Sequence, residues 1–145
     1  GRGGLVSSYL EHVNITTSNC DLMVEFLGTA IPEWKVRNGA TSENCKWLHF
    51  GSERFYIAIE EREGPNKSPH KTYFHPGLNH YGIVVDEVDS LMKRMISAGY
   101  REGNHVLDHP HRKRCYFFDH DDGEWEFVEY LSGEVSERND YSNIS

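Results

Sequence analysis

One repeat constrains this chain more than any other feature. "LEHVNIT" at residues 10–16 returns as "LNHYGIV" at 78–84. Both read Leu-x-His-x-x-Ile, with His12 and His80 separated by 80 − 12 = 68 positions. At that offset Leu10 meets Leu78, Ile15 meets Ile83, Asp21 meets Asp89 and Ala30 meets Ala98. Phe50 meets Phe118, and Glu61 meets Glu129. Each identity is weak alone. Together they test for an internal duplication before any fold is assigned.

The order of predicted elements repeats as well. Alternating apolar residues make "YLEHVNITT" (9–17) a strand. Leu22, Met23, Phe26, Leu27 and Ala30 recur at helical spacing over 18–31, with Ser18 as the expected N-cap and Pro32 as the stop. Strands follow at 33–39, 44–51 and 54–62. The stretch 63–77 holds three prolines and no periodicity, so it reads as a connecting loop. The second half then runs strand (78–86), helix (87–99), and strands at 100–107, 113–119 and 123–131. Asp86 is the expected cap of that helix and Gly99 its terminator. Val88, Leu91, Met92, Met95 and Ile96 form the expected inner face. The pattern predicts an α+β domain of two βαβββ modules (9–62 and 78–131), with the helices packed on the apolar face of the sheet. Residues 1–8 read as a disordered N-terminal segment and 132–145 as a polar tail.

Side chains two apart on a strand share a face. Val13 and Ile15 belong under the helices, which leaves His12, Asn14 and Thr16 on the opposite face. His80 occupies the matching place in the second module. On the last strand, Trp125 and Phe127 belong with the core, so Glu126 joins the histidine face. Its equivalent in the first module is Ala58. Four related positions therefore carry His12, Ala58, His80 and Glu126, and three of these have metal-ligand side chains.

Composition excludes several classes. A net charge of -8 removes the broad basic face a nucleic-acid binder needs, and the one basic cluster, "HPHRKRC" (109–115), is short. No apolar run approaches the roughly 18 residues of a membrane span, and no signal-peptide pattern is present. Three cysteines without a CxxC pair read as reduced thiols, so the cytoplasm is the expected compartment.

The chain resembles the vicinal oxygen chelate superfamily, which includes glyoxalase I, bleomycin-resistance proteins, fosfomycin-resistance thiol transferases and extradiol dioxygenases. The resemblance covers roughly residues 9–131. It rests on "LEHVNIT", "LNHYGIV" and "FFDHDDGEWEFVEY", which is similar to the family's F-x-D-P-D-G-N-x-W-E-F ending. Here His120 replaces the proline, and Asp122–Gly123 replaces Gly-Asn. The resemblance implies a mostly antiparallel sheet curved around a cleft, with helices on the convex face. It implies a divalent metal held by His12, His80 and Glu126, with Fe, Zn, Mn or Ni all compatible with that donor set. It implies a substrate with neighbouring oxygens and a role for Glu126 at the catalytic centre. It also implies a homodimer, in which the cleft either stays within one chain or mixes two. Asn14, Tyr56, Arg112, Arg114 and Tyr116 are the expected substrate-binding residues. Glu60, on the face of Ala58, is a substitute ligand candidate, and Glu124 a second carboxylate at a strand end. His49, His70, His75 and His105 read as surface, and Trp34, Trp47 and Trp125 as core. Lyase or isomerase, dioxygenase and thiol-transferase chemistry stay open, although Ala58 lacks the carboxylate that isomerisation uses as proton shuttle. The other reading is a metal-free protein of the bleomycin-resistance type that binds a ligand and performs no chemistry.

Overall fold

The structure is a computed structural model that describes residues 8–42, 46–63, 69–104 and 106–142. It falls into two compact units. The first carries β1 (His12–Thr17), α1 (Cys20–Ala30), β2 (Lys35–Thr41), β3 (Lys46–Gly51) and β4 (Tyr56–Glu61). The second carries β5 (Tyr81–Val84), α2 (Val88–Ser97), β6 (Arg101–Glu102), β7 (Arg112–Phe118), β8 (Glu124–Tyr130) and a short α3 (Val135–Arg138), together with Thr29–Ile31. Each unit has a four-stranded mixed sheet, ordered β1-β4-β3-β2 in one and β5-β8-β7-β6 in the other. The α+β class and the two βαβββ modules therefore hold.

The duplication extends to register. In the first unit β1 runs parallel to β4, with Val13 opposite Ile57 and Asn14 opposite Ala58. In the second, Tyr81 lies opposite Trp125 and Gly82 opposite Glu126. Every one of these positions is shifted by 68, so Glu126 does occupy the place of Ala58. The middle strand departs from that offset. Lys46 faces Glu61, whereas Lys113 faces Glu129, so β7 follows β3 at 67 residues (113 − 46). Phe50 is thus matched by buried Phe117, not by Phe118. The turn after β7 is one residue longer than the turn after β3 and restores the register by β8.

Both helices are anchored by the same device. The Cys20 N–H donates to Glu61 Oε1 at 2.8 Å, and the Val88 N–H donates to Glu129 Oε1 at 3.0 Å. A carboxylate from the last strand of each unit thus satisfies an orphan donor and the positive end of the helix. The expected caps differ from those observed. Asn19, not Ser18, precedes α1, and its Oδ1 accepts the Leu22 N–H. Glu87, not Asp86, is the N-cap of α2 and makes no side-chain cap bond, because Glu129 supplies it from across the sheet. Gly99 ends α2 as expected, at φ +88, with the Gly99 and Tyr100 N–H groups returning to Ile96 and Met95.

The cores collect where the patterns place them. Cys20, Met23, Phe26, Leu27 and Ala30 are buried from α1, and Val88, Leu91 and Met95 from α2. Leu22 and Ile96 point to solvent, contrary to expectation. Trp125, Phe117 and Phe127 are fully buried, each worth roughly 1.5–3 kcal/mol of transfer free energy. Trp34 and Trp47 are only partly covered. β6 is two residues long where 100–107 was expected. The Gly103 N–H closes onto the Tyr116 carbonyl at 2.7 Å just past the strand. The tail is not featureless. Arg112 is buried and donates to the Arg138 and Asp140 carbonyls while lying 4.2 Å from the Tyr141 ring, which docks α3. Residues 1–7 lie outside the described residues.

Candidate metal centre

The second unit brings together His80, Glu126, Glu124, Tyr73, Arg114 and Tyr116. His80 immediately precedes β5, and its Nε2 lies 3.4 Å from Glu126 Oε1. Its Nδ1 lies 2.8 Å from the Tyr73 hydroxyl and 3.6 Å from Glu124 Oε1. Tyr73 Oη donates to Glu124 Oε1 at 2.5 Å. The other oxygen of Glu126 is 3.7 Å from Arg114 Nη1. Tyr116, opposite Glu126 on β7, hydrogen-bonds to it and sets its ring edge against His80, 5.5 Å between centroids. A Cβ added at Gly82 would meet Glu126 Oε1 at 3.8 Å, an ordinary van der Waals contact.

The electrostatics are those of a partly dried acidic pair. Desolvation of its hydroxyl end, then the Glu124 hydrogen bond and charge, push the Tyr73 phenol up to about 12, although the residue as a whole is largely exposed. Burial and the Glu126 charge push Tyr116 well above the usual phenol range, so both phenols stay protonated donors at neutral pH. Burial likewise lifts the Cys115 thiol to about 12, and it packs as an inert side chain.

The first unit presents a different set. His12 is exposed, its Nδ1 3.0 Å from Glu11 Oε1, and its ring stacks on Tyr56 at 4.9 Å. Tyr56 also stacks on His49 at 4.6 Å and carries the Arg37 guanidinium 4.3 Å above its ring. His49 is thus part of an aromatic pile with Trp47 and Tyr56, not a bare surface residue. Asn14, Trp47, His49, Ala58, Ile59 and Glu60 line a cavity of about 300 Å³ beside it. Ala58 is buried and offers no donor.

Several expected residues are placed elsewhere. Arg112 is occupied by the C-terminal segment, because its guanidinium satisfies two carbonyls there, and it is not free to meet substrate. His109 and His111 face Asp140 and Glu137 of the same segment. His70 and His75 are held within the loop, on the Leu78 carbonyl and the Lys71 N–H. His105 and Cys45 lie outside the described residues. Glu124 is buried, not exposed at a strand end. Tyr73 escaped the sequence reading entirely, since nothing in a proline-rich loop marks one aromatic residue as structural.

Among the described residues, one group of three potential ligands lies within 4.8 Å: Asp119, His120 and Asp121. Asp119 is spent on its turn, accepting from Trp125 Nε1 and from the Asp121 and Gly123 N–H groups. It is a structural lock, which leaves His80 and Glu126 as the stronger donors. Two donors bound to one cation at about 2.1 Å lie roughly 3.0–3.4 Å apart, and the observed 3.4 Å falls at the tetrahedral end of that range. One imidazole nitrogen with one carboxylate oxygen suits Zn²⁺, Fe²⁺, Mn²⁺ or Ni²⁺.

No family model matches the sequence, and no curated protein matches it. Solved structures do match over nearly the whole chain. A glyoxylase/bleomycin resistance protein/dioxygenase domain from Frankia sp. EAN1pec superposes with a TM-score of 0.68 at 20% identity, covering 85% of this chain and 98% of that one. A glyoxalase family protein from Bacillus cereus gives 0.70 at 14%, covering 91% and 100%. The fosfomycin resistance protein FosX from Listeria monocytogenes, complexed with Mn(II) and sulfate, gives 0.66 at 18%, covering 92% and 98%. The chain therefore has the fold of the vicinal oxygen chelate superfamily. No helix among the described residues is long and apolar enough to cross a membrane.

Proposed function

We propose that the protein is a metal-dependent enzyme acting on a small molecule with two neighbouring oxygens. The observation that carries this reading is the pair His80 Nε2 and Glu126 Oε1, facing each other at 3.4 Å at the two repeat-equivalent positions that hold donors in the second unit. On the repeat alone, His12, the equivalent histidine of the first unit, is the expected third ligand, from this chain or from a second copy in a homodimer. Its Nδ1 is engaged by Glu11, which directs ligation to Nε2.

A bound divalent ion would supply Lewis acidity and a place for two vicinal oxygens to chelate. The chain's own groups then divide the remaining work. Arg114, beside Glu126, meets an anionic substituent. Tyr116 keeps its proton beside Glu126 and serves as a hydrogen-bond donor there, not as an acid. In the first unit, Tyr56 packs against His12 and Asn14 lines a cavity of about 300 Å³, which offers room for a small ligand. The Listeria protein has also been solved with Mn(II) and 1S,2S-dihydroxypropylphosphonic acid, a vicinal diol bearing an anion, and Arg114 suits a ligand of that kind. Ala58 argues against the proton shuttling of a glyoxalase, so dioxygenase or thiol-transfer chemistry is preferred.

A second reading has its own observation. A protonated His80 would satisfy Glu126 as a plain ion pair beside Arg114, in a metal-free ligand-binding protein. Elemental analysis and calorimetry with Mn²⁺ and Zn²⁺ separate the two. The enzyme reading expects about one equivalent per chain, lost in His80→Ala and Glu126→Gln. Retention below about a tenth of an equivalent after dialysis against each metal would establish the metal-free reading instead.

A further inference from the structure

The structure assigns Tyr73 and Glu124 a positioning role: they form a relay that fixes the proton of His80 on Nδ1 and so presents the Nε2 lone pair to the cation site. The inference rests on the metal-centre reading above and names two residues that reading does not require.

The argument is one of donor and acceptor counting. The Tyr73 hydroxyl has one proton. Glu124 is a carboxylate, an acceptor only, and at 2.5 Å from the hydroxyl it takes that proton in a charge-assisted bond. Tyr73 Oη is then left with lone pairs towards His80 Nδ1 at 2.8 Å, so the contact requires Nδ1–H as donor. A neutral imidazole with Nδ1 protonated has its free lone pair on Nε2. That nitrogen faces Glu126 Oε1 at 3.4 Å. Two lone-pair donors facing each other repel, and a cation between them turns the repulsion into ligation.

The placement of Tyr73 is costly, which argues that it is specified. Its φ is +63, a conformation rare for a bulky residue. Asn79 Oδ1 accepts the Tyr73 N–H at 2.6 Å, one residue before His80, and so ties the loop to the ligand strand. The ring itself stacks loosely on His80, 6.2 Å between centroids, and is largely exposed. Its hydroxyl, rather than its bulk, makes the specific contacts. Among the described residues the first unit shows no such relay: the position equivalent to Glu124 is Tyr56, which stacks on His12.

The test uses long-range ¹H–¹⁵N correlation spectra of the metal-free protein at about pH 8.5, with His80 assigned from His80→Asn. The wild type is expected to show the Nδ1–H form. Tyr73→Phe removes only the hydroxyl oxygen and is expected to shift His80 towards Nε2–H, with the circular dichroism unchanged. Glu124→Gln is expected to shift it in the same direction. In calorimetry with Mn²⁺ or Zn²⁺ alone, Tyr73→Phe is expected to weaken binding about 10–100-fold, the usual effect of losing an outer partner of a metal-bound histidine. An Nε2–H or doubly protonated His80 in the wild type overturns the relay. So does a Tyr73→Phe variant with an unchanged tautomer and affinity within about twofold of wild type. A wild type that shows Nδ1–H but binds neither metal overturns the metal-centre reading and leaves the relay standing.

Discussion

Replacing Asp119 by alanine tests how the chain delivers Glu126. Asp119 is 6% exposed and accepts three hydrogen bonds: Trp125 Nε1 at 2.8 Å, the Asp121 N–H at 2.8 Å and the Gly123 N–H at 2.9 Å. A hydrogen bond to a charged acceptor is worth about 1.5–3 kcal/mol net, and an orphaned buried donor costs about 1–3 kcal/mol. The two turn amides regain water when the carboxylate leaves. Trp125 Nε1 does not, because the indole is fully buried against Tyr81. Removing the buried charge returns part of its desolvation cost. The sum is about 3–4 kcal/mol, dominated by the indole, or roughly 10 °C in Tm for a chain of this size. Urea and thermal unfolding followed by fluorescence and circular dichroism measure it. Asp119→Asn keeps one acceptor for the turn but turns an amide N–H₂ towards the indole, so it recovers less than half. A loss below about 1 kcal/mol for Asp119→Ala would refute the lock, as would equal losses for the two variants.

Three smaller expectations follow from the same inventory. Glu61→Ala and Glu129→Ala each remove a carboxylate from a helix N-terminus and are expected to cost about 1 kcal/mol in denaturant unfolding, with the Gln variants near wild type. Cys115 is expected to resist iodoacetamide in the native protein at neutral pH, since burial holds its thiol up at about 12; peptide mass spectrometry would detect any alkylation. The hydrogen bonds from Ser142, followed by the charges of His109 and His111, lower the Asp140 carboxyl from its ordinary 3.8. The group therefore stabilises docking of the C-terminal segment above that value, and the contribution is lost as pH falls through the lower native one. The Tyr141 ring resonances report this release, which Asp140→Asn abolishes.

What the sequence made legible follows period. Leu-x-His-x-x-Ile recurs because each βαβββ unit half-buries Val13 and Ile15, or Tyr81 and Ile83, on one face of its first strand, and that alternation fixes which face the histidines occupy. The place of Glu126 followed from the same alternation. What stayed hidden depends on contacts distant in sequence. The Glu129 cap on α2 is supplied 41 residues away. The one-residue slip of β7 is compensated within a turn, so end-to-end alignment conceals it. Arg112 looked like an anion receptor because its sequence neighbours are basic, yet it is buried by a tail whose polar composition gave no sign of docking. Asp122, which stands where the family ending has glycine, adopts φ +64, so the backbone kept its glycine-like turn although the residue changed.

The two units also carry different side chains on one duplicated frame. At equivalent positions the second unit carries His80, Glu124 and Glu126, and the first carries His12, Tyr56 and Ala58. Ala58 is the simplest of these differences to reverse. It is paired with Asn14 on one side and His49 on the other, and it borders the cavity of about 300 Å³, so a longer side chain has somewhere to go. Ala58→Glu rebuilds in the first unit the His–Glu pair that His80 and Glu126 form in the second. The variant is expected to fold with a Tm within a few degrees of wild type, because the new carboxylate faces the cavity instead of the helix-covered core. It is expected to bind Zn²⁺ or Mn²⁺ about tenfold more tightly in calorimetry, since a further oxygen donor then lies beside His12. A collapse of more than about 10 °C in Tm would show that Ala58 is held small by packing. A stable variant with wild-type affinity would show that the His12 face takes no part in holding the ion.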